Sequence, residues 1–225
     1  MKESSRSVLG YKKLKIPYVI QSKTENPKGL TIMLPGIGYT VKSPLFHFSS
    51  SAFLNKEYDV LHVNYPYNSV DYKDFSFDEL TSALIKDVSA VLHEVLDQTN
   101  YNSYYVLGKS FGTIAIPTVL KLLPINDTKA VWLTPRLIDA PVFETIRTCK
   151  QDGLCIIGDK DPFYEVEKMN QILLNSSIEC MIPAGANHAL EVDNDILTSI
   201  DIVKSVIKRI DDFITLKNGV LNNEL

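Results

Sequence analysis

Short apolar runs and longer mixed stretches take turns along this chain from about residue 16 to residue 217. The apolar runs fall at residues 16–20, 30–34, 59–65, 103–107, 130–133, 154–157 and 179–182. Each is four to seven residues long, and several are apolar almost throughout, as strands covered on both faces must be. Between them the period changes. Leu80, Leu84, Val88, Val91, Leu92 and Val95 form one stripe at helical spacing, with Lys86, Asp87, Glu94 and Asp97 on the other side. Further helices are expected over 112–123, 164–174 and 201–216; in the last, Ile202, Val206, Ile210 and Phe213 keep the spacing while Lys204, Lys208 and Arg209 face away. Strands alternating with helices imply crossover connections and an α/β fold with a mostly parallel sheet. Such a sheet binds ligands at the carboxyl ends of its strands, so chemistry is sought in the loops that follow them. No internal repeat or interdomain linker interrupts the pattern, so 1–225 reads as one domain with a frayed polar tail at 218–225.

Composition narrows the partners. At 225 residues the chain suffices for one domain with a buried core, and 45% hydrophobic with 22% charged residues is ordinary for a soluble protein. A formal charge of −4 and a pI near 5.6, with no basic stripe, argue against a nucleic-acid partner. The first 17 residues carry Arg6, Lys12, Lys13 and Lys15 but no apolar core, so no secretory signal is expected there. No apolar run approaches the roughly 18 residues that would cross a bilayer, so no membrane partner is expected. Cys149, Cys155 and Cys180 are odd in number and lack C-x-x-C spacing, which suits reduced thiols in a cytoplasmic protein better than disulfides or zinc.

The strand ends hold the candidate chemistry. The run 103–107 leads into Gly108-Lys109-Ser110-Phe111-Gly112 with a helical pattern directly behind it, which is G-x-S-x-G in a strand-to-helix turn. Glycines there give room, since side chains flanking the serine would collide with the neighbouring strand and helix. A phosphate-loop reading of Gly108-Lys109-Ser110 fails, because G-x-x-x-x-G-K-S needs glycine at 103 and Ser103 stands there. The run 154–157 ends in Gly158-Asp159-Lys160-Asp161-Pro162, which offers two carboxylates; Asp161 before Pro162 is also a plausible helix N-cap. The run 179–182 is followed by Gly185-Ala186-Asn187-His188. A serine hydroxyl becomes a good nucleophile when a neutral imidazole takes its proton, and a carboxylate fixes the imidazole tautomer. His93 lies mid-helix, His62 in a strand and His47 in a loop, which leaves His188 as the strand-end candidate. An early glycine loop, Pro35-Gly36-Ile37-Gly38-Tyr39, follows the run 30–34.

Serine, then acid, then histidine in chain order, each in a loop at a strand end, resemble the α/β-hydrolase superfamily, over nearly the whole chain from 16 to about 216. The resemblance implies the α/β-hydrolase fold, with helices on both faces of the sheet. It matches Ser110 to the nucleophile and His188 to the general base. It matches Asp161 to the acid, three positions after its glycine, with Asp159 as the alternative. The loop after the early strand usually begins His-Gly in that family, and here it begins with Pro35; the implied oxyanion donors are backbone N–H groups of Phe111 and of Ile37 or Gly38. Lys109 departs from the residues usual beside the nucleophile. It is expected to point away along the elbow into solvent, the alternative being attraction of an anionic substrate group. Tyr65-Pro66-Tyr67-Asn68 is a candidate aromatic wall for the pocket. Where larger relatives insert a lid, only 134–150 is present, room for a connecting helix; no large lid and an open site are expected.

The implied activity is hydrolysis of a carboxylic ester or thioester through an acyl-serine, with no metal or organic cofactor. Carboxylate-dependent dehalogenases and epoxide hydrolases fit poorly with a serine elbow. A carbon–carbon bond hydrolase or lyase using the same triad, and a non-catalytic ligand receptor or interaction protein on the same fold, are the alternatives.

Overall fold

The computed structural model describes residues 1–99 and 101–215. Its strands are β1 (Lys2–Leu9), β2 (Lys15–Ser22), β3 (Gly29–Leu34), β4 (Tyr58–Val63), β5 (Tyr104–Lys109), β6 (Thr128–Leu133), β7 (Gly153–Ile156) and β8 (Ile178–Met181). They form one sheet in the order β1-β2-β4-β3-β5-β6-β7-β8. Strands β3 to β8 pair in parallel, and β2 joins β1 and β4 antiparallel. The helices are α1 (Pro44–Asn55), α2 (Phe77–Leu96), α3 (Ile116–Leu122), α4 (Ala140–Thr148), α5 (Val166–Ile172) and α6 (Ile196–Thr215). None among the described residues is long and apolar enough to cross a membrane.

The two-residue period of a strand explains the two cores. Along β5, Tyr104 and Val106 face one apolar cluster while Tyr105 and Leu107 face the other. The first cluster is completed by Leu84 and Val88 of α2, Val119 of α3, Ile146 of α4 and Ile172 of α5. The second is completed by Phe46 and Phe53 of α1 and Val206, Ile210 and Phe213 of α6. Helices therefore cover both faces, and every residue of β5 is buried. Only α4 occupies the connection at 134–150, with no large lid.

All seven expected strands are present, with ends moved by at most two residues. Strand β1 was not expected from the pattern: KESSRSVL is mostly exposed and carries no apolar face, and its place is set by backbone pairing with β2. The helix expected over 112–123 is divided. Residues Ser110–Ala115 form a 3₁₀ turn, and the α-helix starts at Ile116, where Pro117 sits in the first turn. The helix expected over 164–174 begins only at Val166 with Glu165 at its N-cap, so Asp161 is not that cap. Helix α6 starts five residues before 201, because Asp195 accepts from the Thr198 N–H at 3.0 Å and caps a turn whose Ile196, Leu197 and Ile200 are exposed. The expected helix end at 216 and the tail at 218–225 lie outside the described residues.

Candidate active site

The turn after β5 is built around close backbone approach. A Cβ at Gly112 would lie 1.9 Å from the carbonyl oxygen of Leu34 and 2.8 Å from that of Pro35. The turn after β5 thus lies directly against the end of β3, and only glycine allows it. Ser110 itself is left-handed, with φ +51°. For a residue with a Cβ this conformation costs about 1–2 kcal/mol, and its effect here is to lift the hydroxyl above the carboxyl end of the sheet.

Two loops from the far half of the sheet meet that hydroxyl. His188 Nε2 lies 2.7 Å from Ser110 Oγ, and His188 Nδ1 lies 2.7 Å from Asp161 Oδ2. An ionised carboxylate only accepts, so Nδ1 carries the proton and Nε2 is left to accept from the serine hydroxyl. Asp161 is 4% exposed, and its second oxygen accepts from the Phe163 N–H at 2.9 Å. Asp159, the alternative acid, is turned elsewhere: its Oδ1 accepts from the Gly185 N–H at 2.7 Å and braces the histidine loop. That loop is closed further by Asn187, whose N–H donates to the Glu191 carbonyl at 2.9 Å, and by Leu190, buried at φ +65°. The Phe163 ring packs edge-on against the imidazole, with centroids 5.2 Å apart.

The glycine loop after β3 borders the same hydroxyl. A Cβ on Gly36 would lie 3.2 Å from that of Ser110, Gly38 has φ +76°, and Ile37 is half exposed. The Tyr39 N–H closes the turn onto the Gly36 carbonyl at 3.1 Å, and the Tyr65 hydroxyl donates to the Pro35 carbonyl. Phe111 is the second residue of the 3₁₀ turn, where N–H groups lack partners within the helix. Its ring is held between Phe77 and Tyr67. An open cleft of about 550 Å³ lined by Ile37, Tyr39, Ser110, Pro162, Asn187 and His188 gives access.

Ser110, Asp161 and His188 are therefore brought together, with Ile37, Gly38 and Phe111 beside them; Asp159 is not. Lys109 corrects an expectation. It is only 3% exposed, because β5 is covered on both faces up to its last residue. Tyr65 and Tyr67 are also corrected: they stack on each other at 4.7 Å inside the core and do not wall the cleft. Tyr67 instead donates to buried Asp87 at 2.8 Å. His47 lies within α1 rather than in a loop. Residues the sequence did not single out are Thr134, buried at φ +43° at the end of β6, and Phe163. Thr134 stands at a strand end and Phe163 two residues past Asp161, but neither residue type signals chemistry on its own.

No family model matches the chain, and no curated protein matches it in sequence. Solved structures do match. A candidate α/β hydrolase of unknown function from Agrobacterium tumefaciens is 18% identical with a TM-score of 0.73, covering 94% of this chain and 95% of its own. An esterase from Pyrococcus furiosus is 14% identical at 0.68, covering 95% and 92%. A serine hydrolase without a lid from Xanthomonas campestris is 12% identical at 0.67, covering 98% of each chain. At these identities the likeness establishes the fold.

Proposed function

We propose that this chain, which has the α/β-hydrolase fold, is a serine hydrolase that cleaves a carboxylic ester or thioester of a small-molecule substrate through an acyl-serine. The observation that carries the reading is the pair of 2.7 Å hydrogen bonds running from Ser110 through His188 to buried Asp161, on a serine held at φ +51°. Such strain persists where surrounding structure enforces it, and it clusters at active sites. In this reading His188 Nε2 takes the hydroxyl proton as Ser110 Oγ bonds to the acyl carbon. The carbonyl oxygen becomes an oxyanion facing the N–H groups of Phe111 and of Ile37 or Gly38. Each such donor contributes about 3–4 kcal/mol to the transition state.

Collapse breaks the bond to the alcohol or thiol, which leaves with the proton held on His188. Water then attacks the acyl-serine while His188 takes a water proton. The carboxylic acid leaves and the proton returns to Ser110 Oγ. General acid–base transfer of this kind contributes roughly 10²–10⁴-fold. Asp161 keeps the imidazole in the tautomer the first step needs and balances the imidazolium that forms. The steps use this chain's own groups and leave the open cleft to accept acyl groups of varied bulk.

Labelling with a fluorophosphonate tests the reading. Stoichiometric modification of the native chain, abolished in Ser110→Ala, supports an activated serine and leads to a screen of esters and thioesters. A folded native chain that resists the probe removes the hydrolase reading in favour of a non-catalytic receptor.

A further inference from the structure

The residue before the nucleophile is the least expected feature of the site. The Lys109 ammonium is buried beneath the elbow and no carboxylate lies within salt-bridge distance of it among the described residues. Its Nζ donates to the Thr134 hydroxyl at 3.0 Å and to the backbone carbonyl of His188 at 3.0 Å. It also stands 5.0 Å over the Tyr39 ring, in the loop beside Ser110. One cation thus touches the end of β6, the histidine loop and the glycine loop, which are far apart in sequence. A buried charge is costly unless its hydrogen bonds are made, and two of the three available donors are used on these acceptors. Thr134, the partner at the end of β6, is itself held at φ +43°.

We propose that Lys109 is a positioning residue: its ammonium, anchored on Thr134, grips the carbonyl of His188 and sets the height of the imidazole over Ser110 Oγ. The inference rests on the hydrolase reading for its kinetic consequence, and on the hydrogen bonds alone for its structural one. Charge-assisted bonds are roughly twice as strong as neutral ones, so the grip is firm while the amine is protonated and slackens when it is not. Burial lowers the Lys109 pKa to about 8, opposed by the nearby carboxylates of Asp161 and Glu191. From the other packed elements, Thr134 and the His188 carbonyl face the ammonium as neutral acceptors and Tyr39 through its ring. The charged form is the firmer grip, so it holds best below about pH 8 and slackens as the pH rises past it.

The test compares wild type, Lys109→Met, Lys109→Arg and Thr134→Val, with Ser110→Ala as the chemical blank. Hydrolysis of p-nitrophenyl acetate is followed from pH 6 to 10, and fluorophosphonate labelling at pH 7. The proton shared by His188 Nδ1 and Asp161 is observed by ¹H NMR. The wild type is expected to lose kcat along one limb above about pH 8. Lys109→Met is expected to lower kcat by about 10- to 100-fold, the scale of a misplacement of about 1 Å, with KM little changed and the alkaline limb gone. Thr134→Val is expected to show a smaller loss with the limb moved. Lys109→Arg stays charged and loses the limb.

A shared-proton signal that broadens in Lys109→Met and Thr134→Val supports the grip independently of turnover. If Lys109→Met fails to fold, Lys109→Arg and Thr134→Val decide. Wild-type kcat, limb and proton signal in the variants would overturn the inference while the hydrolase reading stands. A wild type that resists the probe, yet whose proton signal depends on Lys109, leaves the grip and removes the hydrolase reading.

Discussion

Replacing Gly112 with alanine should separate the two halves of the proposed oxyanion site. The added Cβ would sit 1.9 Å from the Leu34 carbonyl oxygen and 2.8 Å from that of Pro35. A carbon and a carbonyl oxygen normally approach to about 3.3–3.6 Å, so the elbow and the end of β3 must part by more than about 1 Å. Both colliding groups are backbone at the centre of the sheet, and no flexible side chain can yield. Overpacking of this kind costs about 1–3 kcal/mol and sometimes more; a backbone overlap this deep belongs at or above the upper figure. At about 2–4 °C per kcal/mol for a chain of this size, the melting midpoint should fall by roughly 6–12 °C. The shift also draws Phe111 away from the loop of Ile37 and Gly38, for a loss of roughly 10²-fold in labelling rate. Gly108→Ala is the internal comparison. Its nearest contact, 2.9 Å, is the flexible Cδ1 of Ile116, with Gly112 backbone at 3.0 Å, so it should be milder on both measures. Thermal melts and fluorophosphonate rates on the two variants decide the matter. A Gly112→Ala protein that melts within about 2 °C of wild type and labels at the same rate would refute the reasoning.

Other outcomes follow from buried polar groups. His62 is 6% exposed, bonds Ser50 Oγ at 2.8 Å, and burial lowers its pKa to about 4. Its folded pKa lies below its unfolded one, so stability falls as pH drops from about 6.5 and levels off below about 4, by up to roughly 3 kcal/mol; denaturant melts of wild type and His62→Gln at pH 7 and 4.5 should show the difference. Tyr65→Phe removes the donor to the Pro35 carbonyl, and about 1 kcal/mol of stability with a several-fold fall in kcat but not in KM is expected from melts and esterase kinetics. Asp87→Ala strands the Tyr11 N–H and the Tyr67 hydroxyl, now bonded at 2.6 and 2.8 Å. At about 1–3 kcal/mol for each unsatisfied group, urea unfolding should register one of the larger losses available to a single substitution.

How much of this was legible in the sequence depended on which face a residue showed to water. Strands β3 to β8 could be read because burial on two faces demands apolar runs, whereas β1 could not, since backbone pairing alone places its Lys2, Glu3 and Arg6 at the sheet edge. The meeting of Ser110, Asp161 and His188 was foreseeable from chain order and strand ends. Choosing Asp161 over Asp159 rested on resemblance, and the reason became visible only when each carboxylate showed its own partner. Lysine ordinarily keeps its ammonium in water, which misdirects the reading of Lys109. The overlooked signal was its register: as the last residue of a strand covered on both sides, it had no solvent face to turn to. Tyr65 and Tyr67 misled similarly, because a strand end marks nearness to the ligand side but not the direction of a ring.

The sheet order carries a temporal consequence. Ser110 follows β5, near the middle of the chain, whereas its imidazole partner follows β8 and lies 78 residues later. At about 5–20 residues per second, a ribosome needs roughly 4–16 s to synthesise the intervening stretch. Throughout that interval the hydroxyl has no imidazole to take its proton, whatever the nascent amino-terminal half has already folded into. Under the proposed mechanism a truncated or half-emerged chain would therefore be unreactive at Ser110. Competence arrives only when β8 and the loop after it have docked, so labelling of Ser110 would report that the far half of the sheet has formed.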